Sequence, residues 1–352
     1  MISFYPGPSK IDESVPGFVM EAAQKGILSI NHRSEAFIEI SKFAVEQLKS
    51  KLEIPDDYLI AFVSSATECW EIIAQSLIKE SSLHYYNGAF GEKWHEYTKK
   101  IKPNTQAIPY AFDTIIPLEK GRDNSADLIC ITQNETSNGT AVGMEQLKIL
   151  RRQNPQALLA IDATSSLAGV HLDISLGDVW YSSVQKCLGL PAGMAVLILS
   201  PAAVKRAEEV GENMHYNSLL SIIEKAKIFQ TTYTPNVLNI FLLGKVLDSR
   251  PSISIIHKKL EERYHSLYSF WGIFSQFKPL VQDKTIQSKT VLAVQTSTAL
   301  LDHVKKTALK HDLLLGNGYG TWKNSTFRIA NFPSISDNEM NLLYAFFKEH
   351  FL

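Results

Sequence analysis

The sequence predicts an α/β protein with a largely parallel central sheet and a smaller α+β unit at its carboxyl-terminal end. Two observations indicate this fold class. Short apolar runs of strand length alternate with segments of helical periodicity, which is typical of parallel α/β layers. After about residue 245, a long amphipathic segment is followed by only two further strand-like runs. We therefore predict a large domain of residues 14–250 and a small domain of residues 1–13 and 251–352.

Four apolar runs predict strands of the large domain. They contain few polar residues, which is typical of strands that are covered on both faces of a sheet. The runs are "YLIAFV" (58–63), "DLICIT" (127–132), "ALLAID" (157–162) and "MAVLIL" (194–199). Open parallel sheets bind ligands in the crevice outside the carboxyl ends of their strands, so residues that follow these runs are candidates for a site.

Helices are predicted where apolar residues recur at intervals of three and four. Such stripes begin at Trp70 and at Met340, and a third covers residues 252–271. Ser336 and Glu339 have the spacing of a capping box, which predicts where the last helix begins. The small domain is completed by the strand-like runs "TVLAVQT" (290–296) and "TFRIANF" (326–332), with a helix around residues 299–311 between them.

Composition and charge restrict the possible partners. Of the 352 residues, 45% are hydrophobic and 20% are charged, and 35 basic residues oppose 36 acidic ones. This balance gives no field that would attract nucleic acid or a membrane surface. The first residues lack a signal-peptide pattern, and no apolar run approaches the roughly 18 residues of a membrane span. We expect a cytoplasmic protein without nucleic-acid or membrane partners.

The cysteines indicate neither a disulfide framework nor a metal site. Cys69, Cys130 and Cys187 are odd in number and widely spaced, without the paired spacing of zinc ligands. We expect three free thiols.

Lys186 is chemically unusual in its sequence context. It lies in "YSSVQKCLGL" (181–190) and is the only charged residue between Asp178 and Lys205. A setting of low polarity lowers the pKa of an ammonium group, so a free amine becomes available as a nucleophile. This isolated lysine is therefore the first candidate for a reactive group.

Two strand ends supply further candidates, each with two interpretations. The segment "SSATECW" (64–70) leads directly into a helix, so its free N–H groups could bind an anion, or Ser65 or Thr67 could simply cap the helix. Asp162 closes an apolar strand, either as another helix cap or as a buried carboxylate with a cationic partner.

A phosphate cradle, a strand-end carboxylate and an isolated lysine are the three groups that pyridoxal 5'-phosphate requires. The aldehyde needs a lysine amine, and the ring nitrogen needs a carboxylate that keeps it protonated. The phosphate needs N–H donors and hydroxyl groups. These residues therefore predict a protein that uses pyridoxal 5'-phosphate as its cofactor.

Eight short motifs, in order along the chain, resemble those of one enzyme family. They are "FYPGPSKI" (4–11), "NHRS" (31–34), "SSATECW" (64–70), "NETSNG" (134–139), "IDATSS" (161–166), "VQKCLGLPAG" (184–193), "YTPN" (233–236) and "FRIANF" (327–332). The sequence thus resembles the phosphoserine aminotransferase family, which belongs to the class V aminotransferases of fold type I. The likeness extends over nearly the whole chain and implies a homodimer with shared active sites.

The resemblance implies a role in cofactor binding for eight residues. Lys186 would form the Schiff base and move the substrate proton, and Asp162 would pair with the ring nitrogen. Thr136 would approach the phenolic oxygen of the ring, and Phe90 would stack on the ring. The phosphate would be held by Ala66, Thr67 and Gln185, with Thr234 contributed by the neighbouring subunit.

The resemblance also implies how the substrate is bound. Arg328 would hold the α-carboxylate, and His32 and Arg33 would form part of a substrate-phosphate site. Family members have a second basic pair shortly before the carboxylate-binding arginine, whereas the corresponding stretch here, "GYGTWKNSTFR" (318–328), offers only Lys323.

Three functions follow as hypotheses. The first is transamination between phosphoserine and 2-oxoglutarate in serine biosynthesis, with 3-phosphohydroxypyruvate as the oxo acid. The second is an alanine or serine aminotransferase that uses glyoxylate or pyruvate and needs no phosphate site. The third, from a different class, is a non-catalytic α/β ligand-binding protein on the same fold. The presence of both Lys186 and Asp162 argues against the third.

Overall fold

The computed structural model describes residues 1–121 and 125–352. Within these residues the helices are α1 (Val15–Gln24), α2 (Glu35–Leu52), α3 (Ala66–Leu77), α4 (Ala89–Ile101), α5 (Met144–Gln153), α6 (Pro201–Val210), α7 (Leu219–Ala226), α8 (Val237–Ser249), α9 (Ile253–Trp271), α10 (Thr298–Lys310) and α11 (Asp337–Phe351). Among these helices we find none with both the length and the apolar character needed to cross a membrane.

The strands range from two to five residues. They are β1 (Ile2–Ser3), β2 (Leu59–Val63), β3 (Ser82–Tyr86), β4 (Thr105–Pro109), β5 (Leu128–Thr132), β6 (Asn134–Glu135), β7 (Thr140–Ala141), β8 (Leu158–Asp162), β9 (Val179–Ser183), β10 (Ala195–Leu199), β11 (Lys278–Pro279), β12 (Val291–Gln295), β13 (Leu313–Leu314), β14 (Gly316–Asn317) and β15 (Thr326–Ala330). All six strand-like runs that the sequence predicts are confirmed as strands.

A seven-stranded sheet in the order β2-β10-β9-β8-β5-β3-β4 forms the centre of the molecule. The pairings among β9, β8, β5, β3 and β4 are parallel, and only β10 runs antiparallel to its neighbours β9 and β2. The predicted largely parallel sheet is therefore confirmed. The apolar-run criterion missed β3, β4 and β9, because these strands include serine, histidine, threonine or glutamine residues.

Both faces of this sheet are covered, which explains why its strands are almost continuously apolar. On β2, Ile60 and Phe62 belong to one buried cluster, which also includes residues of α1, α2 and α8. Ala61 and Val63 belong to a second cluster, with residues of α3, α6 and α7. Successive side chains on a strand point to opposite faces, so each strand contributes to both clusters.

A third buried cluster belongs to the carboxyl-terminal part of the chain. It surrounds an antiparallel sheet in the order β11-β12-β15-β14, against which α9, α10 and α11 contribute buried residues. The amino terminus joins this unit, because β1 pairs with β13 and Phe4 is fully buried in the same cluster. The proposed domain division at residues 13 and 250 agrees with this packing but stays a prediction.

Arg250, at the end of α8, connects the parts of the chain that surround Lys186. Its guanidinium donates to both the carboxylate of Asp12, at 2.7 and 3.0 Å, and the carbonyl oxygen of Cys187, at 2.8 Å. A further hydrogen bond of 3.1 Å reaches the Ser334 hydroxyl. The arginine is buried, so these bonds hold the amino-terminal segment and the lysine loop in fixed positions.

The three cysteines are free, as the sequence predicts, and all three are buried. Burial raises the pKa of the thiol groups of Cys69 and Cys130, and raises that of Cys187 to about 12. Because the thiolate is the reactive form, these side chains act as packing residues.

The capping box of α11 allows a test of local stability. The Ser336 hydroxyl accepts a hydrogen bond from the Glu339 N–H at 3.3 Å, and the Glu339 carboxylate accepts one from the Ser336 N–H at 2.8 Å. We expect Ser336→Ala to lower the free energy of unfolding by about 1 kcal/mol, measured by denaturant titration. Ser252→Ala is the matched control, since Ser252 precedes α9 without a side-chain capping bond. An equal loss in both variants would contradict the role of the cap.

Candidate active site

A cavity of about 540 Å³ lies where the carboxyl ends of the parallel strands face the carboxyl-terminal unit. Residues that follow β3, β5, β8 and β9 form its floor, and the start of α3 forms one side. Residues 5–8, residues 317–320 and Lys323 complete the walls. The cavity thus lies at the edge of the sheet where the sequence predicts a site.

Lys186 projects its amine into this cavity, and its side chain is 7% exposed. The Nζ atom lies 2.8 Å from Thr136 Oγ1 and 2.9 Å from Ser165 Oγ, and 5.4 Å from the centre of the Phe90 ring. Burial is the main reason that the pKa of Lys186 falls to about 8, although the charge of Asp162 opposes this shift. The amine is therefore held in place and is partly uncharged near neutral pH.

Asp162 is the last residue of β8, and its carboxyl group is buried in the same cavity. One oxygen accepts a hydrogen bond from the Thr164 N–H at 2.8 Å. Burial raises the pKa of Asp162, while its hydrogen bonds and the nearby Lys186 amine lower it. Asp162 thus has features of both interpretations, because its carboxylate accepts a nearby backbone N–H and is also buried where the charge of the Lys186 amine acts on it.

The start of α3 presents hydrogen-bond donors to the cavity. Ser65 caps the helix by accepting from the Glu68 N–H at 3.1 Å. The N–H groups of Ala66 and Thr67 have no hydrogen-bond partner in the described part of the chain, and both residues line the cavity. Unpaired N–H groups at the positive end of a helix dipole bind anions. The two interpretations of this segment are therefore compatible, since the cap is at Ser65 and the free donors come after it.

Arg328, on β15, is buried on the side of the cavity that the carboxyl-terminal unit forms. Its Nε donates to the Asn317 carbonyl at 2.6 Å and its Nη1 donates to the Thr136 carbonyl at 2.7 Å. The Tyr319 ring lies over the guanidinium, 5.5 Å away, and stacks against Phe90. Two carbonyl bonds thus orient the arginine, and the N–H groups of Nη2 have no partner among the described residues.

Eight of the predicted site residues line this one cavity. They are Lys186, Asp162, Ala66, Thr67, Phe90, Thr136, Gln185 and Arg328. They come from different strands, helices and loops, so they are far apart in the sequence and meet only in the folded chain.

His32, Arg33 and Thr234 do not line the cavity of their own chain. The Arg33 guanidinium donates to Gln230 Oε1 and to the Thr231 carbonyl, both at 2.8 Å. Arg33 and the segment with Thr234 therefore lie close together on the surface, outside the cavity that Lys186 lines. The predicted contributions of these residues to a site stay predictions and require a second subunit.

Several residues that shape the site have no role that is predicted from the sequence. Ser165 bonds to the Lys186 amine, and Gly7 lies so close that an added Cβ would be 2.9 Å from Lys186 Cε. Both residues lie in motifs that were recognised, "IDATSS" and "FYPGPSKI". Tyr319 and Glu135 are further omissions. Glu135 is buried and accepts hydrogen bonds from the Phe90 and Gly91 N–H groups, which fixes the start of α4.

Comparison with known proteins identifies the family. The model of the class V aminotransferases matches residues 6–310. The chain is a class V aminotransferase. A phosphoserine aminotransferase from Cytophaga hutchinsonii is 33% identical, with a TM-score of 0.93 over 100% of this chain and 99% of that one. The phosphoserine aminotransferase of Rhodococcus opacus is 26% identical over 96% of this chain and 91% of its own length.

More distant structures show how widely this fold is used. An aspartate aminotransferase from Thermus thermophilus has a TM-score of 0.86 at 20% identity, over 99% of this aminotransferase and 98% of that chain. At this identity the likeness concerns the fold alone. The fold type I architecture that the sequence predicted is confirmed.

The lowered pKa of Lys186 leads to a testable pH dependence. With a pKa near 8, about a tenth of the Lys186 amines would be uncharged at pH 7 and about nine-tenths at pH 9. The rate of carbamylation of Lys186 by cyanate in the purified aminotransferase without a bound small molecule, followed by peptide mass spectrometry, should therefore rise about tenfold over this range and then level off. Exposed lysines in the same digest should continue to gain reactivity beyond pH 10. A Lys186 profile that parallels theirs would contradict the assignment.

Proposed function

We propose that this aminotransferase uses pyridoxal 5'-phosphate and transfers the amino group of phosphoserine to 2-oxoglutarate. The central observation is the arrangement of charges in one cavity. A buried amine, Lys186, interacts with a carboxylate, Asp162, at the end of a strand and with a guanidinium, Arg328, that is still able to bind an anion. The names of the similar phosphoserine aminotransferases from Cytophaga hutchinsonii and Rhodococcus opacus support the substrate.

The residues of the cavity fit pyridoxal 5'-phosphate. The free N–H groups of Ala66 and Thr67 match its phosphate, and the buried carboxylate of Asp162 matches a protonated ring nitrogen. Lys186 matches the aldehyde, because its amine is buried and its pKa is lowered. When it is bound, the cofactor supplies an electron sink that stabilises negative charge on the substrate Cα.

Lys186 would also transfer the proton in this reaction. Its Nζ atom is held between the hydroxyls of Thr136 and Ser165, so the amine has a fixed position from which to take a proton from Cα and return it. A general base works best when its pKa lies near the operating pH, and the pKa of about 8 meets this condition.

Arg328 would bind the α-carboxylate of the substrate. The carbonyl groups of Asn317 and Thr136 accept hydrogen bonds from its Nε and Nη1, which fixes the plane of the guanidinium. The remaining N–H groups therefore have fixed directions as well. A guanidinium that is already oriented loses little freedom when it binds a carboxylate through two parallel bonds. Tyr319 covers the guanidinium and limits its contact with water.

The substrate phosphate would meet positive charge from two sources. Lys323 lines the cavity of the same chain. His32 and Arg33 would come from the neighbouring subunit of a homodimer, together with Thr234. The hydrogen bonds from Arg33 to Gln230 and Thr231 support this assembly. They hold two segments together on one surface of the subunit, and both segments are predicted to reach the site of the neighbour.

Loss of the Lys186 amine tests the reaction itself. We expect purified wild-type protein with pyridoxal 5'-phosphate, phosphoserine and 2-oxoglutarate to form glutamate, measured in a coupled assay. Lys186→Ala should lose more than about 99% of this activity, because both the covalent anchor and the base are removed. After borohydride reduction, mass spectrometry should find the cofactor on Lys186 in the wild type only. A covalent adduct that persists on another lysine would contradict the assignment of the anchor.

The choice of substrate is tested by Arg33→Ala. One charge-assisted bond to phosphate contributes about 1.5–3 kcal/mol, so kcat/KM for phosphoserine should fall roughly tenfold to hundredfold. The value for alanine should stay unchanged. Arg152→Ala, which removes an exposed arginine elsewhere, is the control. Equal losses for both amino acids would assign Arg33 a structural role and would favour the alanine or serine alternative.

The proposed homodimer gives this test a second form. Lys186→Ala subunits lack the amine, and Arg33→Ala subunits would lack the phosphate contact that they provide to a neighbour. After equal mixing of the two variants, about half of the dimers would contain one subunit of each kind. One of the two sites in such a dimer would combine an intact Lys186 with an intact Arg33. About a quarter of all sites should therefore recover phosphoserine activity. Failure of subunit mixing to restore any activity would contradict the exchange of Arg33 across an interface.

A further inference from the structure

Three buried side chains form a connected line that ends at Asp162. Trp70, on α3, donates from its indole Nε1 to the hydroxyl oxygen of Tyr181 at 2.8 Å. Tyr181 lies on β9, where its register partner on the neighbouring strand β8 is Asp162. All three residues are buried, and Tyr181 is fully so.

The register determines the direction of the Tyr181 side chain. Leu158 and Ala160 lie four and two residues before Asp162 on β8, and both belong to the same buried cluster as Tyr181. Side chains two residues apart on a strand share a face, so Asp162 and Tyr181 project from the same side of the sheet. The Tyr181 side chain therefore lies beside that of Asp162, and hydrogen bonding from the Tyr181 hydroxyl lowers the pKa of the carboxyl group.

The chemistry of the donors determines the direction of the bonds. An indole nitrogen can only donate, so the Tyr181 oxygen accepts from Trp70 and keeps its own proton for another acceptor. An ionised carboxylate only accepts, so Asp162, the register partner of Tyr181, is an acceptor toward which that proton can point. The other titratable groups that interact with Asp162 are Lys186, Glu135 and Cys69.

We propose that Tyr181 is a positioning residue that keeps Asp162 ionised and correctly oriented toward the cofactor ring nitrogen. This inference relies on the proposed function, because it concerns the carboxylate that pairs with pyridoxal 5'-phosphate. Burial disfavours the charged form of Asp162, and a hydrogen bond from Tyr181 favours it. Tyr181 itself does not line the cavity, so it acts through Asp162.

Tyr181→Phe tests this role, because it removes the hydroxyl and keeps the ring that packs edge-on against Trp94. We expect the dissociation constant of pyridoxal 5'-phosphate, measured by fluorescence titration of the cofactor-free protein, to rise roughly tenfold to hundredfold. The visible absorption band of the holoenzyme should shift, since this band responds to protonation of the ring. The kcat should fall by a similar factor, while KM for phosphoserine stays within about twofold.

Tyr58→Phe is the matched control. Tyr58 is a buried tyrosine whose hydroxyl donates to the Gly177 carbonyl at 3.1 Å, and it does not line the cavity. Tyr58→Phe loses one buried hydrogen bond, and Tyr181→Phe also leaves the Trp70 indole N–H without its acceptor, so both variants should lose thermal stability and Tyr181→Phe should lose more. Of the two variants, Tyr181→Phe alone should change the cofactor affinity and the absorption band, because Tyr181 is the register partner of Asp162 and Tyr58 bonds elsewhere.

Three outcomes would overturn the proposal. If wild-type protein binds the cofactor and Tyr181→Phe retains its affinity, absorption band and kcat, Tyr181 is a packing residue and the proposed function stands. If wild-type protein does not bind pyridoxal 5'-phosphate, the proposed function fails and the role of Tyr181 fails with it. Should Tyr181→Phe not fold, Trp70→Phe tests the same line, and we expect a smaller change in the same direction. An unchanged spectrum and affinity in that variant would also refute the proposal.

Discussion

The burial of one amine, that of Lys186, is the constraint on which the site depends. An ammonium ion is costly to remove from water, so the surrounding structure has to compensate it or lower its pKa. Two hydroxyls, from Thr136 and Ser165, accept hydrogen bonds from the amine, and Asp162 provides an opposing charge. The close approach of Gly7 restricts the side chain further, because no Cβ would fit there. The same contacts that stabilise the buried amine thus fix its position for chemistry.

The sheet explains how Lys186 and Asp162 come together. Asp162 ends β8, and Lys186 follows the end of the neighbouring strand β9. Parallel strands end at the same edge, so residues 24 positions apart along the chain line one cavity. Arg250 adds a second restraint, because it bonds to the Cys187 carbonyl and joins the lysine loop to the amino-terminal segment through Asp12.

Arg328 and Tyr319 bring the carboxyl-terminal unit into the site. Arg328 donates to a carbonyl of its own unit, that of Asn317, and to the Thr136 carbonyl of the central part. Tyr319 stacks on Phe90 and accepts a hydrogen bond from the Lys93 amine at 2.8 Å, and both of these residues lie on α4. The side of the cavity that contains Arg328 is therefore formed by contacts between the two parts of the chain, and neither part contains it alone.

The sequence by itself determined the elements whose signals are local. Apolar runs located β2, β5, β8, β10, β12 and β15, because strands that are buried on both faces are apolar along their whole length. The Ser336–Glu339 pair located the start of α11, because a capping box involves only residues that are close together in the chain. The isolation of Lys186 and the position of Asp162 were also visible locally. Only the tertiary structure decided that β10 runs antiparallel, that Ser165 and Gly7 enclose Lys186, and that Tyr319 covers Arg328. These features depend on contacts between residues far apart in the chain, and no local pattern of polarity encodes such contacts.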